Sequence, residues 1–377
     1  MRRALVCLFL RGGADGLALV PPYDDPLLRE LRPSLCSDGP GESDSSVIDL
    51  DGRFGLHPSL KALAPAFTAG ELAIVHAVGS DDQTRSHFEA QDRMELAGET
   101  ATSASGGWLA RHLATRPGPR AGALAAVAFG PRPPECLRGA AATALERAAD
   151  FGLDAMTPEL AGALEALYQA ERSAPLPLAL DLSRAGTEAL RVMDHLAALG
   201  RGADVARDRY PSGALGARLA EAAHLLRHRD ELGLEAVTID HDGYDTHFVQ
   251  ADSLAMTARE LGDGLAALRA DLGEHMHDIV VIVMTEFGRR VAQNVSLGTD
   301  HGRAGVMMLL GGPVRGGRVY GDFPGLAPDA LEPPGDLRVT TDYRTVLEEV
   351  VSGGLANPRS AEVFPRPTAA ARLGVLR

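Results

Sequence analysis

The chain has 377 residues, enough to bury a large core, and is read as a single domain over 1–377. Its 37 basic and 51 acidic residues leave a net charge of -14, and the arginines are spread through the sequence, so nucleic acid and anionic lipid surfaces are excluded as expected partners. Cys7, Cys36 and Cys136 are odd in number and far apart, which argues against a disulfide framework or a CxxC zinc site and for free buried thiols.

The opening Met1-Arg2-Arg3 and the apolar run to Leu10 resemble a secretory leader, but the run meets Arg11 and Gly12 with no cleavage-type region. Ala4 to Leu10 therefore reads as a first strand. No run approaches the ~18 apolar residues of a membrane span, and the expected location is cytoplasmic. Gly12 and Gly13 permit a tight turn that sets Asp15 over the strand end. Residues 24 to 56, polar and rich in Pro and Gly, read as a surface excursion. His57 to Ala69 reads as a short helix and Leu72 to Val78 as a second core strand.

Ser80, Asp81 and Asp82 are candidate caps for a helix that includes Ala90, Met94 and Ala97. Thr84 and Ser86, with Arg85 and His87 alongside, are hydroxyls near that helix start. Each serves either as a cap or as a nucleophile whose attached anion is stabilised by helix amides. Leu124 to Phe129 reads as another strand. From about 137 to 232 the sequence becomes a helical insertion, with Pro158 to Arg172, Ser183 to Leu199 and Ala214 to Leu232 as its segments. His195, His224 and His228 fall there; His224 and His228 have an i, i+4 spacing without an HExxH glutamate and read as a solvated face.

The densest chemistry lies between 234 and 312. Leu234 to Ile239, Ile279 to Met284 and Val306 to Leu310 are short, largely apolar runs, as expected of parallel strands covered on both faces. Leu254, Ala258, Leu261, Leu265, Leu268 and Leu272 form the stripe of an amphipathic helix between the first two, completing a βαβ unit. The first run leads into Asp240, His241, Asp242, Asp245 and His247, the second into Glu286, and the third follows Asp300 and His301. In an open α/β sheet, ligands bind outside the carboxyl ends of the strands, so these residues are expected to converge. Asp, Glu and His without thiolate suit a divalent ion: Zn²⁺, Mn²⁺, Mg²⁺ or Ca²⁺. The expected metal residues are Asp15, Asp242, Asp245, His247, Glu286, Asp300 and His301.

The segments LFLRGGADGL, TRSHFEAQDRMELAG, GYDTHFVQ, MTEFGRR and GTDHGRAGVMMLLGGPVRGGRVYG together resemble the bacterial "domain of unknown function 1501" family, in order and over most of the chain. That family is placed in the alkaline phosphatase-like superfamily with sulfatases and phosphomutases. The resemblance implies an α/β fold of three α/β/α layers with a mainly parallel central sheet. It also implies a metal-holding Asp15 and a nucleophile at Ser86, with Thr84 as the alternative. His247 would pair with Asp242 or Asp245 at one metal. Glu286-Phe287-Gly288 departs from the phosphomutase Asp-His-Gly, while Asp300-His301 takes the place of the last metal-binding His. The expected function is a metal-dependent hydrolase or transferase of small phosphate or sulfate esters, with Arg11, Arg85 or Arg289 neutralising the anion. The alternative is a non-catalytic member binding an anionic ligand or partner in the same cleft.

Overall fold

The computed structural model describes residues 2–97, 106–119, 121–147, 162–163, 166, 177–202, 207–365 and 371–377. Their main sheet is built around β1 (Ala4–Leu10). The other strands are β2 (Ile48–Asp49), β3 (Gly55–Leu56), β4 (Leu72–Gly79), β5 (Ala126–Phe129), β6 (Thr143–Leu145) and β7 (Ala236–His241), then β8 (Ile279–Thr285), β9 (Gly305–Leu310), β10 (Arg318–Tyr320) and β11 (Thr341–Asp342). The main sheet runs β10-β4-β9-β8-β1-β7-β5-β6, with β11 adding to β4, while β2 and β3 form a separate hairpin.

Alternate residues of β1 feed two cores: Ala4, Val6, Leu8 and Leu10 on one face, Leu5, Cys7 and Phe9 on the other. Such two-sided burial is why the strand is an unbroken apolar run rather than an alternating one. The helices Ala214–Arg227 and Gln250–Leu272 supply the first face, and Trp108–Thr115 and Tyr343–Glu349 the second. The protein is thus an α/β fold with a mostly parallel sheet and helices on both faces. Every residue of the expected stripe from Leu254 to Leu272 is buried. Among the described residues, no helix is long and apolar enough to cross a membrane.

Register fixes where the chemistry lies. β7 and β8 both pair with β1 in parallel, and Leu10 stands opposite both His241 and Thr285. The segments after all three strands therefore leave the sheet at one edge. β9 was expected to be parallel but is antiparallel to both β8 and β4. Its N-terminal end consequently lies at that same edge, which is why Asp300 and His301 reach the site although they precede their strand. β4 ends there too, with Val78 opposite Gly305.

Three further expectations are corrected. The excursion over 24–56 is not all surface: Leu28, Phe54 and Leu56 join the core and Arg32 is buried. The stretch 137–232 is not purely helical, since β6 lies within it and extends the sheet beside β5. His224 is buried rather than on a solvated face, its ring 5.3 Å from that of His228. The expected helix Pro158 to Arg172 lies almost wholly outside the described residues, whereas Ser183 to Leu199 falls within the helix Pro177–Gly202.

Candidate metal centre

At the shared edge, imidazoles from three segments meet one carboxylate. His301 Nε2 is 2.9 Å from His247 Nε2 and 3.1 Å from Asp245 Oδ1, and His247 Nε2 is 3.0 Å from the same oxygen. His87 completes the group, its Nε2 3.5 Å from Asp245 Oδ2. One ligating atom from each of His87, Asp245 and His301 fits within a 4.8 Å cluster.

The opposite nitrogen of each ring faces an acceptor. His301 Nδ1 is 2.9 Å from the Arg85 carbonyl oxygen, which can only accept, so Nδ1 carries the proton and Nε2 presents its lone pair inward. His87 Nδ1 is 2.8 Å from Glu286 Oε1. His247 Nδ1 stands 3.7 Å from Asp300 Oδ1. Carboxylates and carbonyls behind the rings orient metal-binding histidines in this way. Phe287 packs on both His87 and His301, with ring centroids 5.0 and 4.8 Å away.

Titration reflects these contacts. The hydrogen bond to Glu286 raises His87, whereas burial lowers His301 against the opposing pull of Asp245. Burial pushes Asp245 up, but the Arg289 guanidinium, with the neighbouring His301 and His247 rings, outweighs it and holds the carboxyl at about 2. Glu286 is likewise pushed up by burial and brought down to about 2 by His87, Gln91 and the Gly12 amide.

The other expected residues separate by their partners. Glu286 accepts from Gly12 N, His87 Nδ1 and Gln91 Nε2 on one oxygen and from Thr285 Oγ1 on the other. Both oxygens are engaged, so Glu286 stands behind His87 rather than beside it. Asp15 is buried in an ion pair with Arg32 at 2.7 Å, caps Ala18 N and accepts from Gln250 Nε2. This is a structural pair, not a free ligand. Asp242 and Asp245 are both exposed, but of the two it is Asp245 that lies against His247 and His301. Asp300 lies against His247, Asn294 and Arg290.

The expected anion clamps are committed elsewhere. Arg289 is buried and donates to the carbonyls of Gly12, Gly13, Tyr244 and Thr299 as well as to Asp245. Arg85 is held by Asp336, and Arg11 by Glu95 and Asp240. Ser86 opens the helix His87–Glu95 through its backbone, but its side chain makes no capping bond. Thr84 is exposed and donates to Asp82 at 2.8 Å.

Close approach at two glycines closes the site. A Cβ on Gly12 would meet Asp245 N at 2.5 Å, and one on Gly298 would strike the His247 backbone. Gln91, Asn294, Phe287 and Asp336 were not anticipated. Gln91 had a signal, because its i, i+4 spacing from His87 puts both side chains on one helix face.

The fold and site define an α/β protein carrying a cluster of histidines and a carboxylate at the strand ends. The family described as "Protein of unknown function (DUF1501)" matches residues 2–348, and the chain belongs to it. No curated protein matches the chain.

Proposed function

We propose that this chain is a metal-dependent hydrolase or transferase of phosphate or sulfate esters, of alkaline phosphatase-like fold, built on a one-ion centre of His87, Asp245, His247 and His301. The observation that carries the reading is the triangle of His247 Nε2, His301 Nε2 and Asp245 Oδ1, with sides of 2.9, 3.0 and 3.1 Å. Donors sharing an ion at ~2.0–2.2 Å stand about 3 Å apart, so the donor set fits. The buried His87 Nε2 has no hydrogen-bond partner among the described residues, as a nitrogen reserved for an ion would. Several imidazoles with one carboxylate favour Zn²⁺ or Mn²⁺ over Mg²⁺ or Ca²⁺.

Such an ion supplies Lewis acidity toward an ester oxygen and a lowered pKa for water. The protein's own share is positional. Glu286 and the Arg85 carbonyl fix two rings, Arg289 anchors Asp245, and the uncapped Ser86 hydroxyl lies next to His87 in the chain as the nucleophile, with Thr84 as the alternative.

The paired state of Arg11, Arg85 and Arg289 favours a second reading, a non-catalytic member that binds a ligand in the same place. Elemental analysis, with turnover of p-nitrophenyl phosphate and sulfate, separates the two. The hydrolase reading expects about one divalent ion per chain, lost in His301→Ala, and turnover lost in Ser86→Ala with the ion retained. An inactive Thr84→Ala beside an active Ser86→Ala moves the nucleophile to Thr84. No ion in the native protein, or a full ion with no turnover, overturns the hydrolase reading and supports the second.

A further inference from the structure

Six large apolar side chains are exposed among the described residues: Phe88, Phe248, Val249, Met256, Val295 and Leu297. Five belong to the segments that form the candidate centre. Phe88 follows His87 and is 86% exposed, and Phe248 follows His247 and is 74% exposed. Val295, fully in solvent, and Leu297 sit on the loop that leads to Asp300 and His301. Scattered exposed apolar residues need no explanation, but a concentration beside a polar centre does.

Two of these segments are built as one unit. Val249 N donates to Ser296 O at 2.9 Å and Gln250 N to Leu297 O at 2.9 Å, so the loops carrying Phe248, Val249, Val295 and Leu297 run side by side. Asn294 ties them further: its Nδ2 donates to the carbonyl oxygen of His247 and to Asp300 Oδ1, each at 3.1 Å, and its Oδ1 accepts from Ser296 N and Gly298 N. The backbone is also strained there. Val249 has φ 40° and Leu297 φ 59°, the left-handed region that β-branched and bulky residues avoid. Neither side chain gains much burial to offset that cost, so folding does not account for their presence.

We propose that the molecule held at this centre carries a bulky apolar group, an alkyl chain or aromatic ring, which seats on Phe88, Phe248, Val249, Val295 and Leu297. For the charged end of the ligand, this rests on the ester reading given above. The case for a ligand is convergence: the ring centroids of His87 and His247 lie 4.4 and 4.6 Å from that of His301, so the segments that carry Phe88, Phe248, Val295 and Leu297 meet at one place. Five exposed apolar side chains fall far short of the roughly 20–30 residues a side of a stable protein interface, which favours a small ligand group as the occupant. The net charge of -14, with Asp245 and Asp300 beside the patch, opposes docking on an anionic bilayer. Backbone pairing sets the seat in advance, which limits the ordering cost of binding.

The test uses ethyl-, butyl-, hexyl- and octylphosphonate, below their micelle thresholds, titrated calorimetrically into the full chain with and without added Zn²⁺. Each buried methylene strengthens binding about fourfold, so the octyl compound is expected to bind at least tenfold tighter than the butyl one. A Phe248→Ser/Val295→Ser double variant removes most of that gain with metal content unchanged. A flat series overturns the proposal, as does a gain that survives in the double variant. Flotation with phosphatidylcholine vesicles, or a dimer by sedimentation that the double variant abolishes, reassigns the patch to a bilayer or a second copy and also overturns it. A chain-length gain without Zn²⁺ dependence keeps the apolar seat and counts against the metal-dependent reading; Zn²⁺-dependent binding with a flat series does the reverse.

Discussion

Substitution of Glu286 tests the difference between a proposed metal ligand and a residue that would hold one in place. Its side chain is buried, and four donors end on its two oxygens: Gly12 N at 2.9 Å, His87 Nδ1 at 2.8 Å, Gln91 Nε2 at 2.9 Å and Thr285 Oγ1 at 2.9 Å. In Glu286→Gln the amide oxygen can take the place of Oε1 and keep three of these bonds. The amide nitrogen then faces Thr285 Oγ1, which can accept from it while donating to Leu10 O. The fold therefore loses little, about 1 kcal/mol, but His87 loses the charged partner that raised its basicity. Outer partners of this kind contribute roughly 10–100-fold in metal affinity, or about 1.4–2.7 kcal/mol. Glu286→Ala instead orphans several buried donors at about 1–3 kcal/mol each and should unfold the edge of the site. The assay is competition for Zn²⁺ against a chromophoric chelator, with urea unfolding of the metal-free protein as the stability control and His247→Ala as the first-shell comparison. Glu286→Gln protein that binds Zn²⁺ as tightly as the native chain would refute the supporting role; affinity as low as in His247→Ala would make Glu286 a ligand after all.

His301→Ala should lower metal content together with any turnover, while His228→Ala leaves both unchanged; equal metal loss in the two variants would dissolve the centre as drawn. Val249→Asn should raise stability by about 1 kcal/mol in urea unfolding, because Asn tolerates the left-handed backbone that Val resists, and should weaken octylphosphonate binding. A destabilised Val249→Asn chain would show that the Val side chain packs in the fold. Burial holds both His76 and His112 at about 4, and the Nδ1 of each accepts a hydrogen bond, from Ala77 N and Asn357 Nδ2 respectively, which protonation would abolish. Both stay neutral in the fold while the unfolded chain takes up protons near 6.5, so their contribution is complete above pH 6.5 and lost as pH falls toward 4. The loss is about 2 kcal/mol per residue at pH 5, read from urea midpoints, and equal stability at pH 7.5 and 5 would contradict it.

Much of the sheet was legible because strands buried on both faces must be apolar throughout, as β1, β7 and β8 are. Direction was not legible in the same runs. An unbroken apolar stretch has the same composition read either way, so β9 gave no sign that it runs antiparallel. β6, β10 and β11, at two or three residues each, are too short to show a period. Arg32 was read as surface because its segment is polar, yet its guanidinium is neutralised by Asp15 and donates to the Val291 and Arg290 carbonyls. Pairing partners so far apart in sequence leave no local pattern.

The candidate site follows the same logic one level down. Residue type and position at a strand end brought Asp15, Asp245, His247, Glu286 and His301 to one edge, and they are there by register. What distinguishes them is how many of their polar atoms other groups already use. Asp15 and Glu286 have every oxygen engaged by buried donors, and Arg289 spends its guanidinium on four carbonyls and Asp245. His87 and His301 keep one nitrogen each turned toward Asp245 because their other nitrogen is held, by Glu286 and by the Arg85 carbonyl. A charged side chain at the ligand-binding edge of a sheet can thus serve the scaffold or the ligand. The first use saturates it with donors from distant segments, and the second leaves one atom free toward a common point; composition is the same in both cases, and only the folded geometry separates them.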